Sequence, residues 1–430
     1  MSKVKATCEI NSTEWMRTKP DILLYHPTGK YDGDNEHLIV FETASGKELL
    51  ALWTQSSLEG QGDNRLMLAR STDGEKWGTP VRIAGARPGS GDFQASWGWP
   101  VVVKTGRIYV FYTREMEEVD LHRQGCGTLG CIYSDDDGHN WIAGVNIPMA
   151  RTPYDHPNPR VPRNWIAWQK PIHDSQGRWF NPYGCCTSPE IVKKKYPHWI
   201  YVEVRSYFLR FENLDLAPAP EDIKITWLPK DSVGLEVPQP MYPELVFAGE
   251  PSVVLLPDGR LFCIVRTFTG FLWYCVSADD GLSWTALKPL RYCDEGGLIN
   301  QPLAPSPIYS LADGRYILLY HNNPGTKGVH SQYNVDWGDV NHLNYIRNPA
   351  YLALGEFRPD AEQPVWFSQP VVFVDTDDVV YGPKQTAEAA TYPSLTEHKG
   401  KRVLWYPDRK HFLLGKYIAD ETLEKLHVPA

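Results

Sequence analysis

Three residues in the second half of the chain have side chains that could react together, namely Glu250, Arg266 and Tyr392. A tyrosine phenol, with a pKa of about 10, becomes a nucleophile only when a neighbouring carboxylate draws off its proton. Glu250 could supply that carboxylate, and the planar guanidinium of Arg266 suits the binding of an acidic group. The alternative is that these charges form buried ion pairs that only hold strands together.

The elements around these residues are short strands rather than helices. Helical periodicity is scarce, whereas runs rich in β-branched and aromatic residues recur between clusters of Gly, Asp, Asn and Pro. Several runs follow a tight turn that contains glycine and a basic residue: Ile108 to Tyr112, Leu261 to Arg266, Tyr316 to Tyr320 and Val403 to Tyr406. This repetition predicts many short antiparallel strands.

A second repeat has the form Ser-x-Asp-x-Gly-x-x-Trp. It occupies Ser134 to Trp141 and Ser277 to Trp284, and a version one residue shorter runs from Ser71 to Trp77. In such a turn the Asp carboxylate accepts hydrogen bonds from backbone amides, the glycine takes a positive φ and the tryptophan packs between sheets. A calcium loop is the competing interpretation, but the alternating oxygen ligands and closing Glu of an EF-hand are missing.

The composition restricts the classes of partner. Lys and Arg total 43 against 52 Asp and Glu, a formal net charge of −9, which argues against nucleic acid. Residues 1–20 lack the apolar run of a secretory signal, and no window is long enough to span a membrane. The chain as given is therefore expected in the cytoplasm, with secretion left open if the sequence is trimmed. The eight cysteines show no zinc-type spacing, and neither a metal nor a cofactor is predicted.

The Asp-containing turns resemble the Asp boxes of sialidases and related propellers, which are the BNR repeats of the sialidase-like superfamily. The resemblance implies an all-β fold, a six- or seven-bladed β-propeller with Asp-box hairpins, in which residues 1–430 form one catalytic domain. Asp boxes are structural, so the chemistry is expected on the inner strands and loops that converge on the central channel.

The segment Thr391 to Leu395 resembles the sialidase segment that carries the nucleophilic tyrosine, which here is Tyr392. Glu250, followed by a strand that ends in Arg266, resembles the sialidase order of an activating Glu, a strand and an Arg that grips the substrate carboxylate. Arg347 falls where a further carboxylate-binding Arg is expected. The resemblance therefore implies that Tyr392, polarised by Glu250, attacks or stabilises an anomeric centre.

Two features depart from the sialidase pattern. Sialidases open with Arg-Ile-Pro on the first strand, whereas this chain reads Met-Arg-Thr-Lys-Pro at residues 16–20. This difference argues against a plain sialoside as the substrate. The usual acid/base Asp is matched by position at Asp63, with Glu59 as the alternative.

A further segment resembles a different branch of the superfamily. Asp34 to Val40, followed by Leu52 to Gln55 and Ser57 to Gly60, is similar to the opening of propellers that act on rhamnose linked to glucuronate. Those proteins are rhamnosidases or lyases, and a channel histidine serves as their acid/base, a role that the resemblance gives to His37. The alternative is that His37 is a packed histidine at the end of a strand.

Four more residues could line a sugar site. Trp168 could stack on a sugar ring, while Gln169 and Lys170 could reach hydroxyls or a carboxylate. His122, ahead of the Asp-containing turn at Ser134, is the fourth candidate. Packing between blades is an equally good explanation for the tryptophan.

Together these residues predict an exo-acting glycosidase that removes a terminal sugar from an anionic oligosaccharide or glycan. That sugar is either acidic itself or a rhamnose linked to glucuronate. One alternative is a lyase that cleaves rhamnose-α-1,4-glucuronate by β-elimination, using His37 and Tyr392. Another is a glycan-binding propeller without turnover. Neither nucleic acid nor a membrane is expected as a partner, and the oligomeric state is left open.

Overall fold

The short strands assemble into six antiparallel sheets that form a six-bladed β-propeller. The computed structural model describes residues 13–121, 123–192, 203–239, 243–323 and 346–430. Each sheet has four or five strands, and the first strand of each sheet is followed in sequence by its hydrogen-bonded neighbour or by a short strand that pairs with that neighbour. The expected all-β propeller is confirmed, and the number of blades is six rather than seven.

The strands are numbered in chain order and the sheets are called blades I to VI. β1 (Ile22–Tyr25) precedes blade I in the chain. Blade I comprises β2 (Asp34–Glu42), β3 (Leu49–Ser56), β4 (Arg65–Ser71) and β5 (Val81–Gly85). Blade II comprises β6 (Ala95–Val102), β7 (Ile108–Glu115), β8 (Gly127–Ser134) and β9 (Ile142–Ile147). Blade III comprises β10 (Asn164–Ile166), β11 (Ile172–His173), β12 (Trp179–Cys186), β13 (Val204–Phe211) and β14 (Ile225–Leu228).

The second half of the ring follows the same plan. Blade IV comprises β15 (Gly249–Leu255), β16 (Leu261–Arg266), β17 (Trp273–Ser277) and β18 (Lys288–Pro289). Blade V comprises β19 (Ile308–Ser310), β20 (Tyr316–Tyr320), β21 (Ala350–Phe357), β22 (Val365–Phe367) and β23 (Val371–Val374). Blade VI comprises β24 (Ser394–His398), β25 (Lys401–Asp408) and β26 (Phe412–Tyr417). Helical segments among the described residues are short: Glu14–Met16, Leu214–Leu216, Pro220–Asp222 and Asp420–Leu423.

The ring is closed by pairing the two ends of the chain. β1 adds to β26 as the fourth strand of blade VI, with Ile22 opposite Gly415. A propeller needs such a closure because an unpaired last blade would leave its edge open and its flanking blades without contact. Among the described residues, no helix is long and apolar enough to cross a lipid bilayer.

Burial differs between the inner and outer strands of a blade. In blade I, β2 is buried along all but its last residue, whereas four of the five residues of the outermost strand β5 are exposed or half-buried. Side chains on both faces of the inner strands pack against neighbouring blades, which explains their nearly continuous runs of β-branched and aromatic residues. Trp99, for example, stacks on Phe111 at 4.7 Å between ring centroids and also contacts Phe211 of the next blade.

The Asp-containing turns hold the outer hairpins through hydrogen bonds within the turn. In the turn at Ser134, Asp136 Oδ1 accepts a hydrogen bond from the backbone N–H of Asn140 at 2.8 Å. The Ser134 hydroxyl oxygen accepts one from the N–H of Gly138 at 2.9 Å. Gly138 has a φ of 81°, a conformation that glycine adopts with little strain. The turn at Ser277 repeats these contacts, and its Trp284 stacks on Phe208 of the neighbouring blade at 4.4 Å.

Candidate active site

The inner ends of the six blades converge on a cavity of about 1040 Å³. Every blade contributes to its lining, and the loop between β23 and β24 adds the segment around Lys384 and Glu388. Glu250, Arg266, Arg347, Tyr392 and His37, which the sequence predicts as site residues, all line this cavity. The six-bladed ring therefore brings together side chains that are far apart in the sequence.

Three inner strands expose a cavity residue by the same distortion of the backbone. The pairing of β2 with β3, of β6 with β7 and of β15 with β16 is interrupted by a bulge. The bulged residues His37, Trp97 and Glu250 have φ values of 55°, 56° and 44°, and Tyr392, just before β24, has a φ of 61°. A bulge re-aims a side chain, and these four side chains line the cavity.

Glu250 and Tyr392 share a local sequence, because each is followed by Pro-Ser. The hydroxyl oxygen of Ser252 accepts a hydrogen bond from the N–H of Ile308 at 3.0 Å, and that of Ser394 accepts one from the N–H of Val40 at 3.0 Å. In both cases the serine ties its strand to the inner strand of the next blade. The repeated segment thus fixes two cavity residues in equivalent positions on blades IV and VI.

The phenol of Tyr392 is bonded to the carboxylate of Glu250. The Tyr392 hydroxyl donates to Glu250 Oε1 at 2.5 Å, although the two residues are 142 positions apart. Arg266 donates to the other carboxylate oxygen and forms an ion pair with it. Burial and the charge of Glu250 raise the pKa of Tyr392 well above its usual value. The phenol therefore keeps its proton at rest, in direct contact with a group that can accept it.

His37 stacks on the ring of Tyr392. The two rings are stacked with centroids 4.0 Å apart, and Trp97 packs against the imidazole at 5.6 Å. Burial, followed by the charge of Lys410, lowers the pKa of His37 well below its usual value, so the imidazole is neutral near pH 7. Neither ring nitrogen has a hydrogen-bond partner among the described residues. His37 is thus a neutral imidazole beside the phenol that makes no hydrogen bond to the described residues, and its Nδ1 lies 3.6 Å from Glu36 Oε1.

Lys410 lies between two carboxylates of blade I. Its Nζ is 2.8 Å from Glu36 Oε2 and 2.8 Å from Glu59 Oε2, and it is 5.6 Å from the centre of the Tyr392 ring. Lys384 contacts the same carboxylate of Glu59.

The two carboxylates that share Lys410 differ in proton affinity. Burial raises the pKa of Glu36, although Lys410 opposes that shift. Burial would also raise the pKa of Glu59, but Lys410 and Lys384 together hold it well below its usual value. Burial alone would lower the pKa of Lys410, which the carboxylates instead keep well above its ordinary range. Neighbouring groups with divergent pKa values suit the roles of acid and base.

A second buried ion pair borders the cavity. Arg347 Nη1 is 2.9 Å from Glu388 Oε2, and both side chains are almost fully buried. Arg347 also donates to the carbonyl of Leu303 at 2.8 Å. Burial opposes the ionisation of Glu388, but Arg347 and then Lys384 hold its pKa below the usual value.

Several residues predicted from the sequence lie outside the cavity lining. Asp63 accepts hydrogen bonds from the N–H of Ser57 at 3.1 Å and so holds a loop together, whereas Glu59 lines the cavity in its place. Trp168 is buried and packs edge-to-face against the Tyr392 ring, with the ring centroids 5.8 Å apart. The amide of Gln169 bonds both the N–H and the carbonyl of Val253, tying blade III to blade IV.

Two further candidates remain apart from the site. Lys170 is exposed and does not line the cavity. Desolvation lowers the pKa of its ammonium group, whereas the charge of Glu42, the last residue of β2, raises it. His122 lies outside the described residues.

The structure adds cavity residues that the sequence reasoning missed, chiefly Lys410, Glu36 and Glu388. Trp97 also lines the cavity, at a bulge of β6 that corresponds to the bulge of β2 at His37. Lys410 lies in the turn between β25 and β26 and carries no motif of its own. Among the described residues, no group of three or more His, Cys, Asp or Glu side chains is arranged to hold a metal ion.

The fold that forms this cavity is shared with known proteins. The family model of the BNR repeat-like domain matches residues 47–403. The NanB sialidase from Streptococcus pneumoniae aligns with a TM-score of 0.59 and 10% identity, over 94% of this chain and 71% of that one. The Trypanosoma rangeli sialidase aligns with a TM-score of 0.57 and 11% identity, over 91% of this chain and 56% of that one.

The likeness extends beyond sialidases. An α-L-arabinanase from Penicillium chrysogenum aligns with a TM-score of 0.53 and 15% identity, over 95% of this chain and 99% of that one. At such identities the structural likeness demonstrates a common fold and leaves the reaction to be argued from the site. No curated protein sequence matches the chain significantly.

Proposed function

The chain belongs to the BNR repeat-like domain family, and from that premise we propose that it is an exo-acting glycosidase whose nucleophile is Tyr392. Sialidase and arabinanase relatives of the same fold support a glycosidase-type activity. Because residues from all six blades surround the cavity, the end of a glycan enters it more readily than the middle of a polymer.

One observation carries the proposal, namely the 2.5 Å hydrogen bond from the Tyr392 hydroxyl to Glu250 in a buried cavity. A carboxylate in contact with a phenol removes the proton as the phenol attacks, which is the arrangement that an activated oxygen nucleophile requires. Arg266 neutralises the charge of Glu250 from the other side. The phenolate therefore forms only during the attack and not in the resting site.

The proposed reaction has two displacement steps. In the first step, Tyr392 Oη bonds to the anomeric carbon, Glu250 takes the phenolic proton, and the leaving oxygen departs with a proton from Glu36. In the second step, water attacks the same carbon and gives its proton to the Glu36 carboxylate. As the water bonds to this carbon, the bond from the carbon to Tyr392 Oη breaks, and the phenolate regains its proton from Glu250. Two displacements at one carbon give a product with the same anomeric configuration as the substrate.

Glu36 is assigned the acid role because of the contrast with Glu59. Burial favours the protonated form of Glu36, whereas two lysines keep Glu59 ionised. A proton donor must carry its proton at the working pH, and of these two carboxyl groups Glu36, whose pKa is raised, is better suited to that role. Glu59 instead fixes Lys410, which contacts both carboxylates.

The alternative functions receive less support from the site. A lyase needs a cation that is available to neutralise a uronate carboxylate, but the described cations of the lining are each paired with a glutamate. A binding module has no use for a phenol bonded to a carboxylate, or for the strain of several non-glycine residues at positive φ.

The experiment is a hydrolysis assay on 4-nitrophenyl glycosides of neutral, deoxy, uronic and sialic sugars in both anomeric forms. We expect the wild type to cleave at least one member, and Tyr392→Phe and Glu250→Gln each to lower kcat/KM by about 1000-fold or more. Tyr109→Phe, which alters a hydroxyl bonded to the Pro218 carbonyl, and Glu48→Gln, which alters a pair with Arg70, are matched controls. Failure to cleave any member, or full activity in both site variants, would refute the proposal.

A further inference from the structure

The turn between β25 and β26 contains two cationic residues in a backbone conformation that normally selects asparagine or glycine. The N–H of His411 donates to the carbonyl of Asp408 at 3.0 Å, so Arg409 and Lys410 are the central residues of a β-turn. Both have a φ of 52°. Turns with two such residues favour Asn-Gly, because only residues without a bulky side chain adopt this conformation at little cost. Strained residues of this kind persist where surrounding contacts hold them, and they concentrate at functional sites.

The two side chains of this turn serve different places. Lys410 enters the cavity and contacts the two carboxylates of blade I. Arg409 is fully buried outside the cavity lining, where its Nη2 is 2.8 Å from Asp408 Oδ2 and its Nη1 is 2.8 Å from Glu14 Oε1. The same Nη2 also donates to the backbone carbonyl of Glu14 at 3.0 Å. Glu14 begins the short helical segment ahead of β1, so a residue outside the six sheets holds the turn.

The turn is also tied to two other elements that carry charges of the cavity. The backbone N–H of Arg409 donates to the carbonyl of Glu388 at 2.8 Å, and its Nη1 is 3.5 Å from the carbonyl oxygen of Val379. Both partners lie in the loop between β23 and β24. The carbonyl of Lys410 accepts a hydrogen bond from the N–H of Asn35 in β2 at 2.8 Å. The strand β2, this loop and the turn therefore meet at Arg409 and Lys410.

The segment that contains Glu14 contacts that loop directly as well. Arg17 forms an ion pair with Glu14, and its Nη1 lies 3.4 Å from Asp377 Oδ2 of the loop. The guanidinium carbon of Arg409 lies 5.2 Å from the centre of the Tyr381 ring, which belongs to the same loop. Glu14 therefore joins two arginines, of which one is bonded to the turn and the other to the loop.

We propose that Arg409 is a positioning residue, which holds the ammonium group of Lys410 between the two carboxylates of blade I. Its anchor is Glu14, so a contact outside the cavity fixes a cation inside it. A guanidinium suits this task because its planar fork bonds to several oxygens at once, whereas an ammonium group is a point charge. The strain of the turn is explained by this division, since one side chain must face the anchor and the other the cavity.

The position of Lys410 matters because this residue acts on the proposed acid. Lys410 opposes the burial that raises the pKa of Glu36, so withdrawal of the ammonium group would raise that pKa further. The other titratable groups near Glu36 lie on the same strand and on two loops, and they are Asp34, His37, Glu59 and Lys384. In taking Glu36 as the acid, this step rests on the proposed function.

The first test measures the position of Lys410 without turnover. The native protein is treated with a trace of isotope-labelled acetic anhydride, and mass spectrometry compares the acetylation of Lys410 with that of the exposed Lys104. The carboxylates keep the amine of Lys410 protonated and therefore unreactive. In Arg409→Gln we expect the ratio to rise about 5-fold or more. Glu14→Gln should raise it about 2-fold or more, and it decides the test should Arg409→Gln fail to fold.

The second test uses the sign of a pH shift to separate position from charge alone. Loss of the Glu14 anion, acting only through its field, would lower the pKa of Glu36. Displacement of Lys410 would raise that pKa, so kcat/KM of Glu14→Gln should fall at a pH about 0.3 higher, or more, than in the wild type. The substrate is an alkyl glycoside of a sugar that the wild type cleaves, and the comparison applies to the falling limb that Glu36→Gln abolishes.

Two variants control for the loss of a charge elsewhere in the fold. Arg210→Gln removes a largely buried guanidinium that lies 2.8 Å from Glu212, and Glu48→Gln alters the pair with Arg70. Both variants should leave the acetylation ratio and the pH profile unchanged.

The outcomes separate this inference from the glycosidase proposal. An unchanged ratio in both Arg409→Gln and Glu14→Gln, an equal rise in the controls, or a pH profile of Glu14→Gln that does not move to higher pH would overturn the inference. A raised ratio in a protein that cleaves no glycoside would support the positioning role and refute the glycosidase. Cleavage together with an unchanged ratio would do the reverse.

Discussion

The outer turns and the cavity use the same unusual backbone conformation with different choices of residue. At the outer turns the positive φ falls on an Asp-Gly pair, as at Asp137 (55°) with Gly138 (81°) and at Asp280 (55°) with Gly281 (83°). At the cavity it falls on large side chains, among them His37, Glu250 and Tyr392. A residue with a Cβ in this region costs about 1 to 2 kcal/mol, which glycine avoids and which Asp offsets in part by local hydrogen bonds. The outer turns are thus built for stability, whereas the cavity accepts strain to aim three side chains at one space.

The carboxylates of the two regions differ in the same sense. In the outer turn at Ser71, backbone amides of Lys76 and Glu75 lower the pKa of Asp73 to about 2, so the group is simply a fixed anion. In the cavity, Glu36 and Glu59 of blade I share the ammonium group of Lys410 from blade VI. The pKa of Glu36 is raised and that of Glu59 is lowered. Local hydrogen bonds saturate the first kind of carboxylate, whereas in the cavity the raised pKa of Glu36 favours a bound proton.

The largest expected effect concerns the proton donor of the cavity. Glu36→Gln should lower kcat/KM about 100- to 10,000-fold on alkyl glycosides, because the leaving oxygen then lacks a proton donor. On 2,4-dinitrophenyl glycosides, whose leaving group needs no proton, the loss should be within about 10-fold. Equal losses on both substrates would remove Glu36 from the acid role.

The same assignment fixes the direction of the pH dependence. Because the pKa of Glu36 is raised and the acid must be protonated, kcat/KM should fall as the pH rises through that pKa. The fall should be absent in Glu36→Gln and retained in the surface control Glu48→Gln. A falling limb that persists in Glu36→Gln would show that another group donates the proton.

The next effect tests the buried pair beside the cavity. Glu388→Gln should lower the free energy of unfolding by about 3 to 5 kcal/mol, because Arg347 is left buried without its partner. Glu48→Gln, in a half-exposed pair with Arg70, should change it by no more than about 1 kcal/mol. Urea unfolding measures both, and a smaller loss for Glu388→Gln than for the control would contradict the assignment.

The pair also makes a prediction for acid stability. The pKa of Glu388 is below its ordinary value of 4.5, so its contribution is present above pH 4.5 and is lost as the pH falls through the folded-state value. Below pH 4.5 the wild type should therefore lose stability more steeply than Glu388→Gln. Parallel curves for the two proteins would be inconsistent with an ionised, paired Glu388.

The smallest expected effect is that of backbone strain alone, which two glycines of the outer turns separate from the effect of crowding. Gly281→Ala should destabilise the fold by about 1 to 2 kcal/mol through its φ of 83°. A further loss of about 1 to 3 kcal/mol is expected because the new Cβ would lie 2.7 Å from the Phe180 ring. Gly314→Ala, with a φ of 87° and open space around it, should show the first loss alone. Neither variant should alter kcat, and a change in kcat would link the outer turns to the site.

The comparison also shows which features the sequence could predict. The outer turns are encoded within eight residues, so the spacing of Ser, Asp, Gly and Trp was enough to predict the propeller. Glu250 and Tyr392 were predicted from local resemblance alone, and their contact depends on the closure of the ring. Whether they have the catalytic roles implied by that resemblance stays a prediction.

Lys410 could not be predicted in the same way. Its partners Glu36 and Glu59 lie in blade I, and Lys410 and Glu59 are 351 positions apart in the chain. The choice between Asp63 and Glu59 depended on how one loop folds, because Asp63 bonds to the backbone of that loop and leaves Glu59 to face the cavity. Contacts between the first and last blades have no periodic signal in the sequence.

The most direct test of the account is to trap the bond to Tyr392. The protein is incubated with 2-deoxy-2-fluoroglycosyl fluorides of D-galactose and D-glucose, of their 6-deoxy and uronic acid forms, and of L-rhamnose and L-fucose. Mass spectrometry of the intact and digested protein then locates any adduct. The account predicts one glycosyl unit per chain on Tyr392, absent from Tyr392→Phe. An adduct on another side chain, or none from any of these probes, would contradict it.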